Sequence, residues 1–170
     1  MARKKWKREL FTIERFFLII IAVFVVTFLS FAALAIMEEI EMNKYVEADI
    51  LRVVDNTVIV GHNCTAIVAE TSPERARSIE LGISGDIQVR PNTHDLFKDV
   101  LESYNITLEM VAMDDFDDEM YYSTIYFKKG NEEVRLDAKP SDAFALALRT
   151  DSPIYIKKGV LEEQGKNICK

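Results

Sequence analysis

Two short stretches bring together the residue types that handle phosphate. One is Arg90-Pro91-Asn92-Thr93-His94-Asp95, and the other is Asp137-Ala138-Lys139-Pro140-Ser141-Asp142 with the apolar run that ends at Arg149. Each reads as the start of a helix. Asn92 or Thr93 can cap the first, and Pro140 fits the first turn of the second, where a missing N–H costs nothing. Helix starts favour anions, because their first N–H groups are unsatisfied and the dipole is positive there. A purely structural reading stands beside this one: Asp95 and Asp142 complement helix dipoles, and Arg90 pairs with one of them.

The elements that must position these stretches follow from pattern. Val134, Leu136 and Ala138 alternate, which predicts a half-buried strand, while Ala143 to Leu148 is apolar on every side and predicts a buried helix closed by Arg149. Upstream, Tyr45 to Ala69 is rich in Val, Ile and Thr with breaks at Asp55-Asn56 and Gly61-His62-Asn63, a meander of short strands. Ser72-Pro73-Glu74 starts a helix that ends near Gly82. A second helix follows Asn92, with Leu96, Phe97, Val100, Leu101 and Tyr104 as its apolar stripe. Strands at Ile106–Met113 and Met120–Phe127 flank an acidic turn, Asp114 to Glu119. Ile154–Ile156 is a short strand and Val160–Gln164 a last helical piece. Runs of strands between helices, without βαβ alternation, predict an α+β domain with a mixed, mainly antiparallel sheet packed with helices.

In front of this domain no charged residue occurs from Phe16 to Met37. Twenty-two residues at about 1.5 Å each span roughly 33 Å, enough for a transmembrane helix. Arg3, Lys4, Lys5, Lys7, Arg8 and Arg15 precede it and Glu38, Glu39 and Glu41 follow, which places the N-terminus in the cytoplasm and the domain outside. Ala33-Leu34-Ala35 has the form of a signal-peptidase site, but the apolar run is longer than a signal core, so a retained anchor is favoured. The expected organisation is a basic tail 1–15, the span 16–37, a connector 38–44, the domain 45–166 and a tail 167–170.

Beyond residue 37 the chain has 15 basic and 26 acidic residues, a net charge of about −11. Binding of nucleic acid through the overall field is thereby excluded, so any such activity rests on a local site. Cys64 and Cys169 are too few for a disulfide framework and are expected as two isolated thiols. With His62 and His94 they do not make a zinc site, and no Walker loop or nucleophile elbow occurs, so neither zinc nor a nucleotide cofactor is expected. The acidic stretch fails the calcium-loop pattern, since Met120 and Tyr126 stand where Gly and Glu are required counting from Asp115. It is expected as a solvated turn. Tyr121, Tyr122 and Tyr126 are expected in core and cross-strand packing rather than as a base-stacking platform.

Arg90-Pro91-Asn92-Thr93-His94-Asp95-Leu96 with Val100-Leu101-Glu102, then Asp137 to Ala143, Leu146 to Arg149 and Pro153-Ile154-Tyr155, resembles the bifunctional nuclease domain family in order and spacing. The resemblance covers about residues 45 to 165 and implies a compact α+β domain, often a homo-oligomer, with nuclease activity on DNA and RNA in some members. Lys139 stands where Arg is usual, Asp118-Glu119-Met120 replaces an Asp-Gly-Thr turn, and Lys157-Lys158 replaces an acidic position. On this basis phosphodiester hydrolysis would use Asp137, Asp142, His94 and Asp95 as catalytic groups, with Asp137 and Asp142 holding Mg²⁺ or Mn²⁺. Arg90, Lys139, Ser141 and Arg149 would contact substrate phosphates. The function expected is that of a membrane-anchored nuclease. The alternative is a non-catalytic oligomeric binding or assembly module at the membrane.

Overall fold

A computed structural model describes residues 17–34 and 41–169. The chain divides into two units, Met1–Asn43 and Lys44–Lys170. In the first, α1 (Phe17–Leu34) has a mean hydropathy of 2.9 and buries none of its residues. Its 18 residues at about 1.5 Å each cover roughly 27 Å, a length that suits either a membrane span or a signal sequence. The expected basic tail, the ends of the span at Phe16 and 35–37, and the first part of the connector, 38–40, lie outside the described residues.

The second unit opens with the meander β1 (Tyr45–Val54), β2 (Thr57–His62) and β3 (Thr65–Glu70). It continues through α2 (Pro73–Ser84), α3 (Thr93–Ser103), β4 (Thr107–Asp117), β5 (Met120–Lys129), β6 (Glu132–Ala138), α4 (Pro140–Thr150), β7 (Ile154–Lys157), α5 (Lys158–Gln164) and β8 (Lys166–Asn167). The strands form one sheet in the order β6-β5-β4-β7-β1-β2-β3-β8. Every neighbouring pair is antiparallel except β4 and β7. The α+β class is therefore as the sequence predicts.

Helix α4 is the element the core is built on. Ala143, Phe144, Ala145, Leu146 and Ala147 are all buried, so its small residues admit neighbours on several sides. Helices α2 and α3 lie against it, and Phe144 and Leu146 join Val111, Ile125 and Ile154 of the sheet in one apolar cluster. The Ser123 hydroxyl, buried on β5, donates to the Ala138 carbonyl at 2.7 Å and fixes the end of β6 just before Pro140 turns the chain into α4.

Several expectations are corrected. Strand β4 runs on to Asp117, so only Asp118 and Glu119 turn the chain, both with positive φ (47° and 62°). Asp114 is not a solvated turn residue: it sits where the β4–β5 register shifts and accepts hydrogen bonds from the Tyr45 and Thr124 hydroxyls at 2.8 and 2.6 Å. Helix α2 continues to Ser84 and is closed by Gly85 in the left-handed conformation. On α3 only Leu101 is buried, and on β6 both Val134 and Leu136 are exposed because β6 is the outer strand.

Cys64 and Cys169 are not isolated thiols but a disulfide, with Cα atoms 5.1 Å apart. The tail returns as β8 beside β3, pairing Asn167 with Thr65, and this brings Cys169 to the β2–β3 turn. A two-residue strand has no periodicity to read, which hid the pairing. Of the tyrosines, Tyr121 packs on Phe116 with ring centroids 4.6 Å apart, Tyr126 lies under the Arg135 guanidinium at 5.1 Å, and Tyr122 is exposed.

The α2–α4 crossing depends on Gly82. A Cβ there would lie 2.9 Å from the Leu148 Cβ and 3.2 Å from Nη1 of Arg149. Gly82→Ala is expected to push the helices apart and lower unfolding free energy by about 1–3 kcal/mol despite the better helix propensity of alanine. Urea denaturation measures this, and an unchanged or raised midpoint would contradict it.

Candidate functional site: a meeting of three helix starts

Three helices begin close to one another, and each has its own local reason to begin there. Ser72 caps α2 by accepting from the Arg75 N–H, and Pro73 occupies the first helical position. Asn92 caps α3 by accepting from the His94 and Asp95 N–H groups at 2.8 and 3.1 Å, while the Asp95 carboxylate accepts from the Asn92 N–H at 2.8 Å. This reciprocal pair is a capping box. Lys139 leads into α4 in an extended conformation, with Pro140 first in the helix and Asp142 in its first turn.

The first turns meet at Asp142. Its Oδ1 lies 3.5 Å from Nε of Arg75 (α2) and 3.6 Å from Nε2 of His94 (α3). The His94 Nδ1 is 2.9 Å from the Ser78 hydroxyl, whose oxygen also accepts from Nδ2 of Asn92 at 3.4 Å. The Asp142 carboxylate favours the His94 proton on Nε2, which faces it, so Nδ1 is assigned as the acceptor of the Ser78 hydroxyl proton. Burial depresses the His94 pKa below the usual histidine range, and the nearby Arg149 charge adds to this against the opposing pull of Asp142 and Asp95. Near neutral pH the ring is an uncharged donor.

Directly behind this cluster is an ion pair that water scarcely reaches. Arg149 Nε donates to Oδ1 of Asp95 at 2.6 Å, with side-chain exposures of 6% and 13%. The Arg149 Nη1 donates to the Ser78 carbonyl at 2.9 Å and to the Ala145 carbonyl at 2.6 Å, and Nη2 is buried without a hydrogen-bond partner. Burial alone would raise the Asp95 pKa, but the Arg149 hydrogen bond and the Asn92 N–H outweigh it and hold the carboxyl below its usual range. Both Asp95 oxygens are thus engaged in structure.

Two clefts flank Arg75. One, of about 300 Å³, has an apolar floor including Val60 and Phe144, with Arg75, Lys139 and Ser141 along its edge. The other, of about 360 Å³, is lined by Arg75, Ser78, Asn92 and His94.

Of the residues singled out from sequence, the structure brings His94 and Asp142 into one cluster. Lys139 and Ser141 stand on the edge of the apolar cleft, and Asp95 and Arg149 lie behind as a structural pair. Asp137 is elsewhere: it is exposed on β6 opposite Thr124, on the face alternate to Leu136 and Ala138. Arg90 is exposed in the segment before α3. It pairs with neither acid, because Arg149 takes Asp95 and Arg75 takes Asp142. Among the described residues no group of three or more His, Cys, Asp or Glu is placed to hold a metal ion. With Asp142 facing a guanidinium and an imidazole, and Asp137 on another face, the side chains do not form a cage for Mg²⁺ or Mn²⁺.

Sequence reasoning missed Arg75 and Ser78. The signal for Arg75 was present: a cation in the first turn opposes the helix dipole and needs a partner from outside its own helix. Ser78 carries no such signal, since a serine inside a helix has no pattern to mark it.

The sequence profile of the bifunctional nuclease domain matches residues 62–168, and the chain belongs to that family. It is 33% identical over 90 residues to an uncharacterized protein of Mycobacterium tuberculosis (strain CDC 1551 / Oshkosh), a match covering 53% of each chain. It is 32% identical over 84 residues to Bifunctional nuclease 1 of Oryza sativa subsp. indica, covering 48% of this chain and 25% of the rice protein. The match therefore spans about half the length of the mycobacterial relative and a quarter of the rice one.

The ion pair gives a pH-dependent prediction. Asp95→Asn leaves Arg149 buried and uncompensated, a loss of about 3–5 kcal/mol at neutral pH. A carboxyl whose folded pKa is depressed adds stability that is present above its unfolded value, about 3.9, and lost as pH falls through the folded one. Urea denaturation at pH 7 and at pH 3 should therefore show the gap between the natural protein and Asp95→Asn narrowing in acid; a gap independent of pH would contradict the assignment.

Proposed function

We propose that this chain is a membrane-anchored nuclease that hydrolyses phosphodiester bonds of DNA or RNA where the first turns of α2, α3 and α4 meet. The observation that carries the reading is Asp142 held between Arg75 and His94 at three converging helix starts. A guanidinium and an imidazole N–H beside the positive ends of three helices form an environment suited to a phosphate oxygen. In this reading Arg75 neutralises the phosphate, His94 donates through Nε2 to an oxygen that gains charge, and Asp142 orients the attacking water. Lys139 and Ser141 contact the neighbouring phosphate along the apolar cleft. Asp137 and Arg90 have no part in this arrangement.

A second reading, a non-catalytic assembly module, draws on the charge of about −11 beyond residue 37, which repels a polyanion. Full-length protein in detergent, assayed on single-stranded DNA and RNA with Mg²⁺, Mn²⁺ or EDTA, separates the two. Cleavage is expected, with His94→Ala reducing it about 10²–10⁴-fold and Arg75→Ala about 10²–10³-fold. Cleavage that survives both changes, or none in any metal condition, would reject this site; the EDTA arm shows whether a divalent cation is required.

Location rests on two independent features. The basic residues from Arg3 to Arg15 favour a cytoplasmic N-terminus. The Cys64–Cys169 disulfide belongs to an oxidising compartment. We therefore read α1 as a retained span with the Lys44–Lys170 unit outside. In intact cells or spheroplasts, external protease should digest that unit, and its cysteines should resist maleimide labelling until reduced. Protection from protease, together with free labelling before reduction, would place it in the cytoplasm.

A further inference from the structure

The apolar cleft beside Arg75 has a lining that phosphate contacts alone do not use. It encloses about 300 Å³, at the lower end of the range for small-molecule sites. Val58, Val60 and Phe144 are buried at its base, and the half-buried Tyr121 and exposed Met120 line it from the β4–β5 hairpin. The Tyr121 ring packs on Phe116 with centroids 4.6 Å apart, which restrains its position. Arg75 joins the cleft to the proposed reaction centre, since it lines the one and lies 3.5 Å from Asp142 in the other. Four charged residues reach the cleft: Arg75 and Lys139, and the exposed carboxylates Glu70 and Glu119. Among the described residues Lys139, Glu70 and Glu119 form no ion pair.

We infer, building on the phosphodiester cleavage proposed above, that this cleft holds one unpaired nucleobase of the substrate strand, stacked on Tyr121, and that cytosine and adenine are preferred there over thymine and uracil. A phosphate held at Arg75 brings its own nucleoside next to the cleft. What it meets is apolar surface edged by hydrogen-bonding groups, which complements a flat apolar ring with polar edges. A fully polar ligand would strand Val60 and Phe144 against polar atoms, and an alkyl chain would leave the charged edge unused. The two kinds of charge then divide the nucleotide between them. Arg75 and Lys139 face its phosphates, and the carboxylates face the base edge. A carboxylate only accepts hydrogen bonds, so Glu70 and Glu119 suit the amino group of cytosine or adenine and repel the O4 carbonyl of thymine or uracil.

A base seated in the cleft has left its stack and given up its pairing partner, so a duplex binds only at the cost of unpairing and unstacking that nucleotide. Stacking on an aromatic ring tolerates every base, whereas the carboxylates discriminate. Tyr121 thus sets affinity, and Glu70 with Glu119 sets preference.

The test uses full-length protein in detergent and measures binding apart from cleavage. In EDTA, fluorescence anisotropy of short labelled single strands should show oligodeoxycytidylate bound about tenfold more tightly than an abasic sugar–phosphate strand of the same length. It should also bind roughly fivefold more tightly than oligothymidylate. Tyr121→Ala should weaken binding of both base-bearing strands about tenfold, and Tyr121→Phe should not. Because Tyr121→Ala also removes packing on Phe116, the exposed pair Glu70→Gln with Glu119→Gln gives a second test, and together these changes should erase the preference for cytidine over thymidine. No binding of any strand, equal binding of cytidine and abasic strands, a preference for thymidine, or a cytidine preference that survives both glutamine changes would overturn the proposal. Cleavage of the same strands is assayed in parallel. Cleavage with base-independent binding rejects the base subsite and spares the nuclease reading, while base-dependent binding without cleavage does the reverse.

Discussion

The ion pair between Asp95 and Arg149 is the constraint on which the rest of the site depends. Arg149 is in the last turn of α4, yet its guanidinium reaches Asp95 of the α3 capping box and the Ser78 carbonyl of α2. One side chain thus ties three helices together. With the α3 start fixed by its capping box and the α2–α4 distance fixed by Gly82, His94 and Arg75 have little freedom in how they meet Asp142. A buried pair of this kind adds little net stability over an apolar replacement, but losing one partner is costly, so it acts as a lock.

What the sequence revealed follows the range of each physical signal. Local signals were read well: the breaks of the meander, the Ser72-Pro73 and Asn92 helix starts, and the buried character of α4 all arise from neighbours a few residues apart. Tertiary pairings were not. Arg149 is expected at a substrate phosphate alongside the family resemblance, and nothing near it in sequence indicates that Asp95, 54 residues away, lies against it. Arg75 differs: its place in the first turn of α2 signals a partner outside its own helix but does not say that the partner is Asp142. The apolar stripe of α3 is a correct pattern, yet of its residues only Leu101 is buried, because amphipathicity shows which residues share a face and not what covers that face.

The disulfide and the apolar N-terminal helix bear on one another without any contact between them being invoked. A bond closing a loop of 105 residues constrains the unfolded chain by about 4–5 kcal/mol in the loop-entropy picture, but only where thiols stay oxidised. The disulfide therefore favours an oxidising compartment for the Lys44–Lys170 unit. Family membership defines the fold and is silent on this point, since the matched region, residues 62–168, begins well after α1.

The charge of the domain and the proposed chemistry of its site are in tension only when both are treated as long-range. At physiological ionic strength the Debye length is about 8 Å, so carboxylates scattered over the surface slow the approach of a polyanion more than they weaken a contact already made. Inside the cluster the terms are of shorter range. The Arg75 guanidinium and the His94 Nε2 proton face a single carboxylate, at the positive ends of three helices. Asp142 therefore occupies a place that electrostatics prepares for an anion, and a phosphate oxygen arriving there would share Arg75 and His94 with it. An acidic domain can hold such a site because the charges that define it lie within a few ångströms of one another, at the starts of helices whose positions are set by a buried ion pair on the other side.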